Sequence, residues 1–266
     1  MSILPLIVIV SYAGLGWHFW RSRWHGASTR PLLEQMVLPL ALLLHGITLG
    51  DTIMHSNVVG LGVGTALSIT LWLSVAIFWL GNFFYPVEGL QPLLLPLAAL
   101  AVLGAELMPP MHPFVGAELP AFRAHILSAM LAYSLITNAA LIALLMNIAD
   151  RRLHKHTTRS LAANLPPLLS LESLLFKVLA GGFLLLTATL ISGLFFSEEI
   201  FHQSFRLNHK TLFTVVAWSV FAALLLGRTF LGWRGRIAVR WTLSGFSLLL
   251  LAYIGSKFVL EVVLQR

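Results

Sequence analysis

Eight long, nearly uninterrupted apolar stretches constrain this chain more than any motif does. They cover about 3–20, 31–50, 64–84, 92–108, 122–149, 173–195, 211–229 and 242–263. A helix that crosses the hydrocarbon core needs roughly 20 mostly apolar residues. Each such segment must also satisfy its own backbone N–H and C=O groups. A lipid-facing barrel would show stretches of roughly ten residues with alternating polarity instead. The expected fold is therefore all-α, a polytopic bundle of eight transmembrane helices in one integral-membrane domain over 1–266. Composition agrees. Charged residues make up 10% and hydrophobic residues 58%, with a mean hydropathy of +0.87, against roughly 25% charged in soluble domains. So few charges cannot coat a surface in water, and the lipid bilayer is the first partner.

Charge then sets the orientation. Arg21, Arg23 and Arg30, then Arg151, Arg152, Lys155 and Arg159, then Arg228, Arg234, Arg236 and Arg240 place 11 of the 17 basic residues in three loops on one side. By the positive-inside rule that side is cytoplasmic, so both termini face outward. This accounts for the net charge of +7 and the pI of about 10.4 without a nucleic-acid partner. Trp17, Trp20, Trp24, Trp79, Trp233 and Trp241 fall near the same interface and read as an aromatic belt. The first span has neither a basic start nor a small-residue cleavage site, and reads as a retained helix. In the long segment 150–172, Pro166-Pro167 break any continuous helix. Leu168 to Phe176 is expected to begin as an interfacial amphipathic turn. Gly181-Gly182 and Gly193 suit close helix packing.

With topology assigned, the ten histidines become informative. His125 and His209 each sit at the outer start of a long span. Neutral imidazole is the commonest metal ligand, and two facing rings can hold a haem iron axially. Arg123, Arg206 and Lys210 lie close in sequence and suit the two propionates. The alternative is that each ring bonds water, a headgroup or a backbone carbonyl. Zinc on His55, His112 and His202 is a weaker option, because no i,i+4 pair occurs among them. His45 lies within the second span, where a titratable group marks a functional site by default. It has three uses: proton relay, iron ligation, or a structural bond to an inter-helix carbonyl. Glu34 and Lys177 lie near span ends and are expected to snorkel. Lys257 and Glu261 are spaced to neutralise each other.

Missing features narrow the class further. No Walker A, HExxH or Gly-x-Ser-x-Gly pattern occurs. Almost no carboxylate lies mid-span, where a proton-coupled transporter keeps them. Zero cysteines exclude disulfides, thiolate metal sites and covalent haem attachment to this chain. No catalytic residue is assigned, and no enzymatic activity is expected.

The C-terminal half carries a specific pattern. His209-Lys210-Thr211, Ala217-Trp218, Leu226-Gly227-Arg228, Gly232-Trp233-Arg234-Gly235-Arg236, Trp241-Thr242 and Gly245-Phe246 follow in order. Upstream stand His125-Ile126-Leu127-Ser128, Ala132-Tyr133 and Leu165-Pro166-Pro167. This pattern resembles the cytochrome c assembly family of haem-handling membrane proteins. The tail from Ala252-Tyr253 to Glu261 resembles its YpjD/HemX-like inner-membrane branch. The resemblance implies a bacterial inner-membrane location, and outer-face axial haem ligands at the positions of His125 and His209. It also implies intramembrane histidines for a second haem, where His45 matches one position and Lys257 stands at the other. A Trp-rich outer loop is implied too, yet no Trp lies between Trp79 and Trp218, and 197–208 offers only Phe201 and Phe205.

Two functions follow. The first is a haem-binding or haem-handling inner-membrane protein with an outer-face bis-His site for haem b. The second is a cofactor-free accessory or regulatory subunit of another inner-membrane protein or transporter, or a regulator of haem biosynthesis. Strict haem lyase or transport chemistry lacks both an aromatic platform and a carboxylate relay here.

Overall fold

The computed structural model describes residues 3–25, 31–55, 62–85, 87, 89–108, 119–154, 166–199 and 209–255. These residues form eight α-helices and no strand. In chain order they are α1 (Ile3–His25), α2 (Pro31–His55), α3 (Val63–Gly81), α4 (Gln91–Leu107), α5 (Pro120–His154), α6 (Leu168–Glu199), α7 (His209–Phe230) and α8 (Arg236–Leu250). A π-helical turn, Leu251–Gly255, continues α8. The first seven helices coincide with the first seven apolar stretches to within about a turn and a half, whereas α8 starts six residues before the eighth, 242–263, whose end lies outside the described residues. One expectation is corrected. Leu168 to Phe176 is not a separate interfacial turn but the first part of α6, which starts directly after Pro166-Pro167 and runs on unbroken.

Among the described residues five helices are long and apolar enough to cross a membrane: α1, α3, α5, α6 and α7. The apolar helix α4 is shorter, at 17 residues. The exposed surface supports membrane embedding. In α1 the inward residues Val8, Tyr12, Leu15 and Phe19 recur at helical spacing, yet the outward ones include Ile3, Leu6, Ile7 and Val10. A helix that is apolar all round belongs in a membrane or in the interior of a large protein.

By their internal contacts the residues group into two compact units. The first comprises 1–114 and 145–174, and its core is α1 to α4. There α4 packs on both α1 and α3, and α2 touches α1 and α3. Small residues set these distances. A Cβ on Gly64 would come within 2.6 Å of the Gly104 carbonyl oxygen, so α3 and α4 meet backbone to backbone. A Cβ on Gly16 would lie 3.0 Å from the ring of Pro96, which sits inside α4.

The second unit comprises 115–144 and 175–266. Its buried core includes Ala132, Ile136, Ala139, Leu179, Leu186, Ala217, Phe221 and Leu224. Gly182 of α6 sits against Ile136 and Leu135 of α5, where a Cβ would come within 2.8 Å of a side-chain carbon. The expected packing role of the Gly181-Gly182 pair thus falls on Gly182. Phe221 of α7 lies over Gly245 of α8, leaving 2.5 Å for a Cβ.

These distances give a paired expectation. Gly64→Ala should cost about 1–3 kcal/mol, the usual range for overpacking. Gly104→Ala meets nothing within 4 Å and should be close to neutral. Thermal unfolding of the two variants in detergent checks the contrast, and equal effects would contradict the backbone contact.

Candidate functional site

The most developed polar constellation in the second unit joins the start of α5 to α6. His125 lies in the second turn of α5, and its ring is half-buried. Nδ1 of His125 is 2.8 Å from Oγ of Ser192 on α6. The direction of this bond follows from the serine. A hydroxyl has one proton, and that of Ser192 goes to its own helix, to the carbonyl of Ala188 at 2.8 Å or of Thr189 at 3.2 Å. With that proton on a carbonyl, the oxygen accepts and Nδ1–H of His125 donates. Neutral imidazole then carries its lone pair on Nε2. This is the tautomer that a ligating histidine needs, and donation of the other ring N–H to a fixed acceptor is how metal-binding histidines are normally oriented.

The ring is also held sterically. Phe122 lies beside it, with ring planes 26° apart and centroids separated by 6.4 Å. Gly193 borders its edge, where a Cβ would stand 3.4 Å from Cε1. One turn further along, Ser128 donates to the His125 carbonyl at 2.8 Å and lies 3.2 Å from the Thr189 hydroxyl. His125 and Ser128 on α5 thus face Thr189 and Ser192 on α6, each pair at i,i+3 spacing on one helix face. Deeper in the unit, Trp218 of α7 donates to Thr187 of α6 at 2.8 Å and stacks on Phe183. The Tyr133 hydroxyl bonds Thr214 across α5 and α7.

The other expected site residues are placed as follows. His209 and Lys210 open α7, and their side chains lie outside the described residues, as does all of Arg206. Arg123 is exposed in the first turn of α5, two residues before His125. His112, His202, Lys257 and Glu261 also lie outside the described residues, as does the side chain of His55. No group of three metal-ligating side chains occurs among the described ones.

His45 belongs to the first unit, with no exposed surface. Its Nε2 lies 2.8 Å from Oγ of Ser68, and its Nδ1 3.3 Å from the Tyr12 hydroxyl. A neutral ring has one donor and one acceptor nitrogen, and the two hydroxyls satisfy both. In this arrangement His45 joins α1, α2 and α3, and neither nitrogen is presented to an iron. Of the three uses open to it in sequence, the structural bond is the one observed, with hydroxyls in place of a carbonyl.

Glu34 also differs from expectation. It does not snorkel out. It is 10% exposed and receives bonds from Arg23 at 3.0 Å and from the His18 ring at 2.9 Å. Nearby, the Arg152 guanidinium lies over the Trp24 ring at 5.1 Å. Sequence reading missed Ser192, Ser68 and Tyr12, because each meets its histidine from another helix. Serines and tyrosines within apolar runs were the only signal available.

An all-helical bundle with apolar outer faces and paired interior polar groups defines a polytopic membrane protein. The match to known proteins gives the particular family. Residues 33–264 match the family described as Cytochrome C assembly protein, and the chain belongs to that family. A protein of Azospirillum brasilense, recorded as an uncharacterized 28.8 kDa protein in the nifR3-like 5′ region, is 32% identical over 218 residues, covering 75% of this chain and 77% of that one. The inner membrane protein YpjD of Escherichia coli K12 is 35% identical over 144 residues, so the match spans about half, 54%, of each chain. The cytochrome c biogenesis protein CcsA of Prochlorococcus marinus NATL1A is 34% identical over 85 residues, covering 32% of this chain and 27% of that one.

The His45 contacts make a stability test. Ser68→Ala leaves a buried ring nitrogen without its partner and should cost about 1–3 kcal/mol. Tyr12→Phe breaks the longer 3.3 Å contact and should cost less. Denaturation in detergent measures both, and the reverse order would contradict the assignment.

Proposed function

We propose that this chain is an eight-span inner-membrane protein, both termini outside, that binds haem b at its outer face and handles or senses it. His125 and His209 are the axial ligands, and Arg123, Arg206 and Lys210 meet the propionates by charge-assisted bonds. The observation that carries this reading is the Ser192–His125 bond, which suits a tautomer with the proton on Nδ1 and the lone pair on Nε2. Membership of the cytochrome c assembly family and the likeness to CcsA support haem handling as the class of work. Bound haem would supply a redox-active, strongly absorbing iron centre. The chain's own residues orient the ring, hold its proton on Nδ1 and set its apolar border through Phe122 and Gly193. His45 is left out of the haem set because both of its nitrogens are engaged.

A second reading is favoured by one sequence fact, the lack of any Trp between Trp79 and Trp218. It makes the chain a cofactor-free accessory or regulatory subunit of another membrane protein. In that case the Ser192–His125 seam is purely a helix contact.

A reduced-minus-oxidised spectrum of the purified protein, with and without added haemin, separates the two. A sharp low-spin α-band that disappears in the His125→Ala/His209→Ala double variant is expected. Ser192→Ala should weaken haem binding by about 10- to 100-fold while keeping the band, as loss of a ligand-orienting partner does. No band, or one indifferent to both histidines, would leave the accessory-subunit reading in place.

A further inference from the structure

The turn between α7 and α8 is built more tightly than a connection requires. Leu231 and Trp233 both donate backbone N–H groups to the Gly227 carbonyl, at 3.0 and 3.1 Å. Gly232 and Gly235 adopt φ of 66° and 54°, a region that side chains disfavour. The Trp233 indole lies so close to Gly227 that a Cβ there would come within 2.4 Å. Arg228 adds a clamp. Its guanidinium lies over the Phe176 ring at 4.7 Å and donates to the Trp233 carbonyl at 3.4 Å. Trp233 in turn contacts Trp241 of α8, with centroids 4.9 Å apart.

This fixed turn presents three further arginines, Arg234, Arg236 and Arg240, all exposed. Arg236 and Arg240 are four residues apart on α8, so they share a face. Like charges at that spacing repel, and the first turn of a helix disfavours cations. Beside the arginines stand bare apolar side chains: Phe230 at 81% exposure, Leu231 at 69% and Ile237 at 43%.

We infer that the α7–α8 turn is a binding site for an anionic phospholipid headgroup. Arg234, Arg236 and Arg240 take the phosphate, and Phe230, Leu231 and Ile237 sit among the acyl chains just below. Guanidinium is the side chain best matched to phosphate. The rigid turn fixes the backbone that carries the three groups, so little backbone ordering is lost when a lipid arrives. The apolar edge selects a lipid over free phosphate, because a soluble anion gains nothing from those side chains.

Native mass spectrometry of the full-length protein, released from nanodiscs of mixed phosphatidylglycerol and phosphatidylcholine, tests this. The wild type should retain phosphatidylglycerol preferentially, and Arg234→Gln, Arg236→Gln and Arg240→Gln should each lower that preference by about fivefold. Phe230→Ser/Leu231→Ser should also weaken retention. Unchanged thermal unfolding in pure phosphatidylcholine shows that the variants are folded. Equal retention of both lipids by the wild type would overturn the proposal, leaving a protein as the occupant of the basic edge. Stabilisation by inorganic phosphate alone, with no added effect of phosphatidylglycerol, would also overturn it in favour of a free anion.

Discussion

Everything in this molecule depends on how closely its helix backbones approach one another. In lipid, burying a leucine between helices gains little over leaving it among acyl chains, so association rests on packing and on a few polar bonds. The chain meets that condition with glycines at crossing points. Gly64 lets α3 reach the carbonyl of Gly104, Gly182 lets α6 reach α5, and Gly245 accepts the Phe221 ring. Gly182 brings together α5 and α6, the two helices on which His125 and Ser192 face each other.

Interior polar groups then act as fasteners with defined partners. His45 holds three helices through two hydroxyls, and Glu34 gathers His18 and Arg23. Trp72 of α3 donates to the Leu42 carbonyl of α2 at 2.9 Å, and Trp24 to the Gly89 carbonyl at 3.2 Å. A polar group stranded in an apolar medium is costly, so each pairing also specifies which helix belongs beside which. Alternative packings of equally apolar helices would leave these groups unmatched.

The sequence made the helices legible because their signal is local. Apolar runs bounded by Pro, Gly and charge located all eight elements. The prominence of His125 was also legible, from its place at the start of a long span. Its orientation was not. Ser192 is 67 residues away, and nothing in the pattern around it distinguishes it from other serines on α6. The same limit applies to His45, whose partners are 33 and 23 residues away. Glu34 failed for a related reason. A lone carboxylate near a span end snorkels unless a neighbouring helix supplies cations, and Arg23 and His18 do so from α1.

The direction of the Ser192 hydroxyl has a wider meaning. Its proton is claimed by a carbonyl of α6 one turn back, which belongs to the helix ladder itself. Backbone geometry of one helix thus favours hydrogen on one nitrogen of a ring on another. The polarity runs one way, from imidazole to hydroxyl to peptide carbonyl, and threonine preserves it because its hydroxyl returns to the helix in the same manner. Cysteine, a weak acceptor, would blur it, and asparagine, with both donor and acceptor ends, would allow it to reverse. At this position the information lies in the direction of the bond as much as in its strength.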